Sequence, residues 1–201
     1  MKIGVIDYGV GNLRSIQKAF EYIGVKAIIS CDLEQLMGCD KLVLPGVGAF
    51  AHCKQQLDNS FDNVTALIST KPTLGICVGM QLMFDYSLEY GRTEGLGVLK
   101  GYVDRIISES LPVPNTGWSP VFTKPGRENP LLRNLPDKPF FYFNHSFSCN
   151  PTRRDSAIGT ADYDGDFIAA VAEENYYGIQ CHPEKSGTVG LALLKNFSNF
   201  C

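Results

Sequence analysis

Histidine is scarce in this chain. Only three occur among 201 residues, and no Cys-x-x-Cys pair accompanies them. That shortage argues against a zinc centre or any other metal site. An excess of either charge is also missing, with 18 basic against 21 acidic residues and a net charge of -3. Nucleic acid and anionic membrane surfaces therefore have no electrostatic claim as partners. No apolar run approaches the roughly 20 residues that cross a bilayer. The opening Met1-Lys2-Ile3-Gly4-Val5-Ile6-Asp7 lacks the longer apolar core and small-residue cleavage site of a secretory signal. Seven cysteines, at positions 31, 39, 53, 77, 149, 181 and 201, are an odd and scattered set. In a chain of this length without a signal they argue against a disulfide scaffold, so reduced thiols in the cytoplasm are expected. What is present is ordinary for a globular protein, 44% hydrophobic and 19% charged. Disorder, collagen and coiled coil are excluded on that ground. The length fits one domain over 1–201.

The first hundred residues alternate short apolar runs with helical periodicity. Lys2 to Ile6, Lys26 to Ile29, Lys41 to Leu44 and Thr73 to Ile76 read as buried strands. Between them lie helical patterns: Leu13, Ile16, Phe20 and Ile23 stopped by Gly24, a short acidic segment Asp32 to Met37, and Ala51 to Ser69. Gly79 to Phe84 opens a further helix. This alternation predicts an α/β fold, with an open, mostly parallel sheet flanked by helices. From Gly91 onward helix signals fade. Short strands are expected at Tyr102 to Ile107, Ser119 to Phe122, Phe140 to Phe143, Ala157 to Ala161, Phe167 to Glu173 and Tyr176 to Gln180. They predict a smaller antiparallel sheet. Leu191, Leu194 and Phe197 mark a closing helix.

The sharpest local feature is Gly75-Ile76-Cys77-Val78-Gly79, with an apolar strand before it and a helical pattern after it. A Gly-x-Cys-x-Gly string at a strand-to-helix turn is the cysteine form of a nucleophile elbow. The turn strains the nucleophile's backbone and leaves room only for small neighbours. The thiol sits at a helix N-terminus, where the dipole favours thiolate. The N–H of Val78 points where an oxyanion forms. With 20 glycines in 201 residues, seven cysteines produce about 0.07 such matches by chance.

A cysteine nucleophile needs a base, and the base needs an orienter. His182-Pro183-Glu184 follows the strand Tyr176 to Gln180. Two residues apart in an extended segment, His182 and Glu184 project to one side, so Glu184 holds the imidazole while His182 faces Cys77. The other two histidines are weaker bases. His52 falls on a helix face, and His145 lies in a strand-rich segment that suits a core or binding role. Pro45-Gly46-Val47-Gly48-Ala49-Phe50 follows the third strand. Its glycines permit close backbone approach, and a main-chain N–H near Val47 or Gly48 is a candidate second oxyanion donor. Asp7-Tyr8-Gly9-Val10-Gly11-Asn12 is glycine-rich but matches neither a dinucleotide fingerprint nor a P-loop.

Taken together these residues resemble the class I, triad-type glutamine amidotransferases, over almost the whole chain. Within that family they resemble the glutaminase subunits of imidazole glycerol phosphate synthases. The resemblance rests on Asp7 to Leu13, Pro45 to Phe50, Leu74 to Leu82, Gly117-Trp118, Phe141 to Ser146 and His182 to Gly187. It implies a flavodoxin-like fold, no cofactor, L-glutamine as substrate, and a Cys77–His182–Glu184 triad acting through a glutamyl thioester. It implies that Val78 and the Gly46-Val47-Gly48 backbone hold the oxyanion. Gln81 is implied to bind the amino-acid group of glutamine, with His145 and Ser146 in the segment that closes over it. It further implies a (β/α)8-barrel cyclase as partner, contacted through Asn12, Trp118, Tyr142 and Lys185. Ammonia then passes to that partner, which makes imidazole glycerol phosphate and AICAR in histidine biosynthesis. The family commonly has His-Met or His-Ile before Gly-Trp and Asn after it, where this chain has Asn115-Thr116 and Ser119. Asn144 stands for a usual valine and Cys181 for a usual phenylalanine. Other readings compatible with the residues are a paralogue feeding ammonia to a sugar-modifying amidotransferase, a catalytically silent regulatory subunit, and a redox-sensing cysteine protein.

Overall fold

The computed structural model describes residues 1–123 and 129–201. β1 (Lys2–Ile6), β2 (Lys26–Ser30), β3 (Lys41–Leu44) and β4 (Thr73–Ile76) alternate with α1 (Leu13–Tyr22), α2 (Leu33–Met37), α3 (Phe50–Ser60) and α4 (Val64–Ile68). α5 (Val78–Leu82) follows β4 directly. Then come β5 (Phe84–Ser87), β6 (Thr93–Glu94), β7 (Leu99–Arg105), β8 (Asn115–Pro120) and β9 (Phe122–Thr123). β10 (Phe140–His145), β11 (Phe147–Pro151), β12 (Ala157–Asp162), β13 (Asp166–Glu173) and β14 (Tyr176–Ile179) precede α6 (Gly187–Phe200).

The main sheet has eight strands in the order β2-β1-β3-β4-β14-β13-β12-β9. Its first five strands are parallel, and the last three add antiparallel pairs. The order reverses at β1, whose two neighbours are β2 and β3. In open α/β sheets that reversal marks the crevice where ligands bind. More important here, β1, β3, β4 and β14 are consecutive neighbours and all parallel. The segments leaving their carboxyl ends start at Asp7, Pro45, Cys77 and Gln180, and all emerge at one edge. A second sheet of four strands runs β11-β7-β5-β6, and β8 and β10 form a separate two-stranded ribbon. That second sheet is mostly antiparallel, with β11–β7 and β5–β6 antiparallel and one parallel pair, β5 with β7.

Local chemistry explains most element boundaries. Leu13, Ile16 and Phe20 turn one face of α1 to the core, and Gly24 ends it at φ +79°. Asp32 caps α2, accepting N–H bonds from Glu34 at 2.8 Å and Gln35 at 3.4 Å. The single helix expected over Ala51 to Ser69 is two. Phe61 turns extended to bury its ring, and Asn63 starts α4 afresh by accepting the Ala66 N–H at 2.9 Å. The helix expected to reach Phe84 stops at Leu82. The Leu82 and Met83 carbonyls are taken by the Leu96 and Leu99 N–H groups at 2.7 and 2.9 Å, which leaves Phe84 to enter β5. The strand expected over Ser119 to Phe122 is interrupted at Val121, which is buried.

The last turn of α6 is closed from another element. The Lys41 ammonium on β3 donates to the carbonyls of Phe197 and Ser198, both at 2.8 Å, and to that of Cys201. A cation at a helix C-terminus satisfies orphan carbonyls and opposes the dipole. Lys41→Met is expected to lower stability by about 1–2 kcal/mol. A urea titration should show a lower midpoint with an unchanged slope.

Candidate active site

Three glycines allow the turns after β3 and β4 to meet. A Cβ at Gly79 would collide with the Leu44 carbonyl oxygen, and one at Gly46 would lie 2.6 Å from the Gly79 nitrogen. One at Gly75 would sit 2.7 Å from Met80 Cα. The chain between Gly75 and Gly79 has one route left, and it holds Cys77 at φ +55°. Such a conformation costs a non-glycine residue about 1–3 kcal/mol. The Cys77 N–H is fixed by the Ile179 carbonyl of β14 at 2.8 Å. Its thiol is 3% exposed, and Val78 begins α5, where a backbone N–H has no partner within the helix. α5 has only five residues, so its dipole is a weak source of thiolate stabilisation.

From the adjacent strand β14 comes the histidine. Pro183 to Lys185 forms a 3₁₀ turn rather than the extended segment expected. The turn still brings Glu184 Oε1 to His182 Nδ1, at 2.9 Å. The Glu184 side chain is fully enclosed and that of His182 nearly so. Burial opposes charge on the imidazole, but its contacts with the Cys77 sulfur and with Glu184 outweigh burial and raise its pKa to about 10. The ring thus bridges a thiol and a carboxylate, which suits proton exchange with Cys77.

His145 shows the opposite behaviour. Asn115 Nδ2 lies 3.2 Å from its Nε2, and its Nδ1 is 2.9 Å from the Phe147 carbonyl. The carbonyl accepts only, so Nδ1 carries the hydrogen and Nε2 accepts from Asn115. Burial lowers its pKa to about 4, and the nearby His182 adds to that. His145 is a neutral wall residue with both nitrogens engaged. His52 is exposed on α3.

These groups surround a cavity of about 460 Å³, within the range of small-molecule sites. Cys77, Val78, Val47, Gly48, Gln81, His145, Ser146 and His182 all line it. Gly46 is packed beneath, against Gly79. Gln81 spends both amide hydrogens inside the protein, on the Phe147 carbonyl and on Gln180 Oε1, each at 3.0 Å. Its Oε1 remains as the acceptor. The Gly46 to Gly48 loop is held at three points. Tyr8 donates to the Pro45 carbonyl at 2.5 Å, the Cys53 thiol to the Val47 carbonyl at 3.2 Å, and the Phe50 N–H to Glu89 at 2.6 Å. Burial raises the Cys53 pKa to about 11, so that thiol stays a donor.

The four residues linked to a partner surface divide. Trp118 and Tyr142 face each other across the β8–β10 ribbon, ring centroids 6.0 Å apart. Lys185 Nζ lies 5.8 Å from the Tyr142 ring centroid. Asn12 is instead attached to the catalytic cluster, its Nδ2 donating to Glu184 Oε1 at 3.2 Å. Sequence reasoning missed that bond, along with Gln180, Glu89, Cys53 and Arg105, which also lines the cavity. Only Gln180 carried a signal, its place two residues before His182. The described residues include no cluster suited to a metal ion, and no helix among them is long and apolar enough to cross a membrane.

Replacing the Glu184 carboxylate by a neutral amide removes a contribution that raises the His182 pKa. Glu184→Gln is therefore expected to lower it, so that the ring loses its proton earlier as pH rises. A ¹⁵N NMR titration of the His182 ring measures this, and an unchanged titration would deny the charge coupling.

Comparison with known proteins agrees with this arrangement. The family model for glutamine amidotransferase class-I matches residues 4–199. The imidazole glycerol phosphate synthase subunit HisH of Sulfurimonas denitrificans is 42% identical, the match covering 98% of each chain. That of Geobacter metallireducens is also 42% identical, covering 98% of this chain and 97% of the relative. A crystal structure of a glutamine amidotransferase superimposes with a TM-score of 0.74 at 17% identity, over 98% of both chains. The chain belongs to the class-I glutamine amidotransferases and, within them, to the HisH subunits of imidazole glycerol phosphate synthase.

Proposed function

We propose that residues 1–201 form one glutaminase domain, which hydrolyses glutamine and passes the ammonia to a (β/α)8-barrel cyclase. The cyclase uses it to make imidazole glycerol phosphate and AICAR in histidine biosynthesis. The observation that carries the chemistry is a buried imidazole held between the Cys77 sulfur and Glu184 beside a cavity of about 460 Å³. Cys77 attacks the carboxamide carbon of glutamine through its sulfur, the proton that the sulfur gives up being held on the His182 imidazole. The Val78 N–H and the Gly46-Val47-Gly48 backbone stabilise the tetrahedral oxyanion. His182 protonates the departing nitrogen, ammonia leaves, and a glutamyl thioester remains. His182 then takes a proton from water, which attacks the thioester; the C–S bond breaks, glutamate is released, and the proton on His182 is again shared with the Cys77 sulfur. Glu184 keeps the imidazole oriented throughout. Gln81 Oε1, the one atom of that amide left to accept, receives the α-ammonium of the substrate. His145 and Ser146 shape the wall, and Arg105 adds positive charge near the α-carboxylate.

Ammonia released into water at neutral pH is mostly protonated and loses its nucleophilicity, which favours direct transfer to a partner. Trp118, 55% exposed, with Tyr142 and Lys185 offers an aromatic and cationic strip for that partner. Asn12, bonded to Glu184, extends the strip to the triad. A second acceptor, a sugar-modifying amidotransferase, has one point in its favour. Asn115, Thr116, Ser119 and Asn144, which differ from the common family pattern, all lie on the β8–β10 ribbon.

Glutaminase activity is expected to rise strongly only when cyclase and its ribonucleotide ligand are both present. No activation, with Cys77 still labelled by a glutamine analogue, would keep the glutaminase and discard the pathway. Cys77→Ala should abolish glutamine use by at least about 10³-fold and spare ammonia-dependent synthesis by the complex. Loss of both activities would make Cys77 structural. His182→Asn should prevent thioester formation at neutral pH, measured by quenched-flow mass spectrometry. Near-normal acylation would remove His182 as the base.

A further inference from the structure

Two buried glutamines connect a main-chain carbonyl to the nucleophile, and the direction of the connection follows from donor and acceptor rules alone. The Phe147 carbonyl only accepts. Gln81 therefore presents its Nε2 to it, at 3.0 Å. The second hydrogen on that nitrogen goes to the side chain of Gln180, also at 3.0 Å, so the atom receiving it is Gln180 Oε1. With Oε1 turned to Gln81, Gln180 Nε2 is left facing Cys77, and it lies 3.6 Å from the sulfur. That distance is a hydrogen bond for sulfur, whose radius exceeds that of oxygen. Gln180 is 0% exposed and Cys77 3% exposed, so water does not compete for the contact. Flipping Gln81 would set its Oε1 against the Phe147 carbonyl and Gln180 Oε1, and flipping Gln180 would set its amide hydrogens against those of Gln81, so either flip leaves buried groups unpaired.

We infer that Gln180 is a catalytic residue of this glutaminase, its amide N–H donating to the Cys77 sulfur and stabilising the thiolate that attacks glutamine. The inference rests on the glutaminase reading above. A neutral donor suits this position. It favours the anion without a second fixed positive charge beside His182, whose proton must leave for ammonia to be released. It also gives the sulfur a second polar partner besides the imidazole. The short α5 supplies little of that stabilisation, and Val78 is reserved for the oxyanion.

The test uses the full chain and iodoacetamide, with modification followed at the Cys77 peptide by mass spectrometry because Cys31, an exposed thiol, reacts as well. In Gln180→Leu the rate at neutral pH is expected to fall about tenfold, and the rise of the pH–rate profile to move up by about one pH unit. At high pH, where the thiol is ionised in both proteins, the rates should converge. Gln180→Glu keeps an acceptor for Gln81 but sets a carboxylate oxygen against the sulfur, and should be slowed at least as much above the pH at which that carboxyl ionises. Urea midpoints identify any variant that fails to fold, and the remaining variant then decides. Wild-type alkylation profiles in the folded variants would overturn the role of Gln180. In parallel, wild-type protein is treated with 6-diazo-5-oxo-L-norleucine in the presence of the cyclase and its ligand. Failure of this analogue to label Cys77, while iodoacetamide does, would overturn the glutaminase reading instead.

Discussion

The close approach of two turns is the constraint on which the site depends. Gly46 and Gly79 let the segment after β3 lie against the start of α5, and Gly75 lets that helix fold back on its own strand. A side chain at any of these positions would separate the turns or push Cys77 out of its φ +55° conformation. In that conformation the sulfur interacts with His182, which follows the neighbouring strand β14. The strain is held because both flanking segments are over-determined. β4 is paired on both sides, and the carbonyls at the end of α5 are occupied by Leu96 and by Leu99, the first residue of β7. A local cost of about 1–3 kcal/mol is small against the burial of these strands.

His145 and His182 show how partners, more than burial, decide the state of a side chain. Both are nearly inaccessible. Burial alone lowers an imidazole pKa, and at His145 it prevails, because Asn115 and the Phe147 carbonyl are neutral. At His182 the same penalty is overcome by a carboxylate and a sulfur. Two residues of one type within one site therefore diverge to about 4 and about 10. The chain also separates its thiols. Burial pushes Cys149 and Cys181 well above the usual thiol range, which keeps them protonated and inert.

What the sequence made legible was local. The first four strands, the turn Gly75 to Gly79 and the pairing of His182 with Glu184 all lie within short windows whose periodicity or spacing carries the signal. The helix boundaries that were missed, at Phe61 and at Phe84, came from contacts beyond such a window. Phe61 was drawn into the core, and the end of α5 was set by hydrogen bonds to Leu96 and Leu99. The supporting bonds of the site were illegible for the same reason. Asn12 and Glu184 are 172 residues apart, and Gln81 and Gln180 are 99 apart. No pattern in one chain announces such pairs. The sheet order brings them together, since β1, β4 and β14 end at the same edge.

The same topology ties the proposed docking strip to the base by the shortest route available, the backbone. The His182 N–H donates to the Tyr142 carbonyl at 2.9 Å, and the Tyr142 N–H to Ser186 Oγ at 3.0 Å. Ser186 in turn donates to the His182 carbonyl at 2.6 Å. Among the described residues the β8–β10 ribbon pairs only with itself, so these bonds are a principal attachment at its Tyr142 end. A partner pressing on Trp118 and Tyr142 would load the segment that carries His182 and Glu184 directly, along with His145, which the ribbon itself carries. Asn12 gives the strip a second hold, on the carboxylate itself. Coupling between partner and base then needs no long relay through the core. It requires only that the ribbon shift as a unit, which a two-stranded element with few other sheet contacts is suited to do.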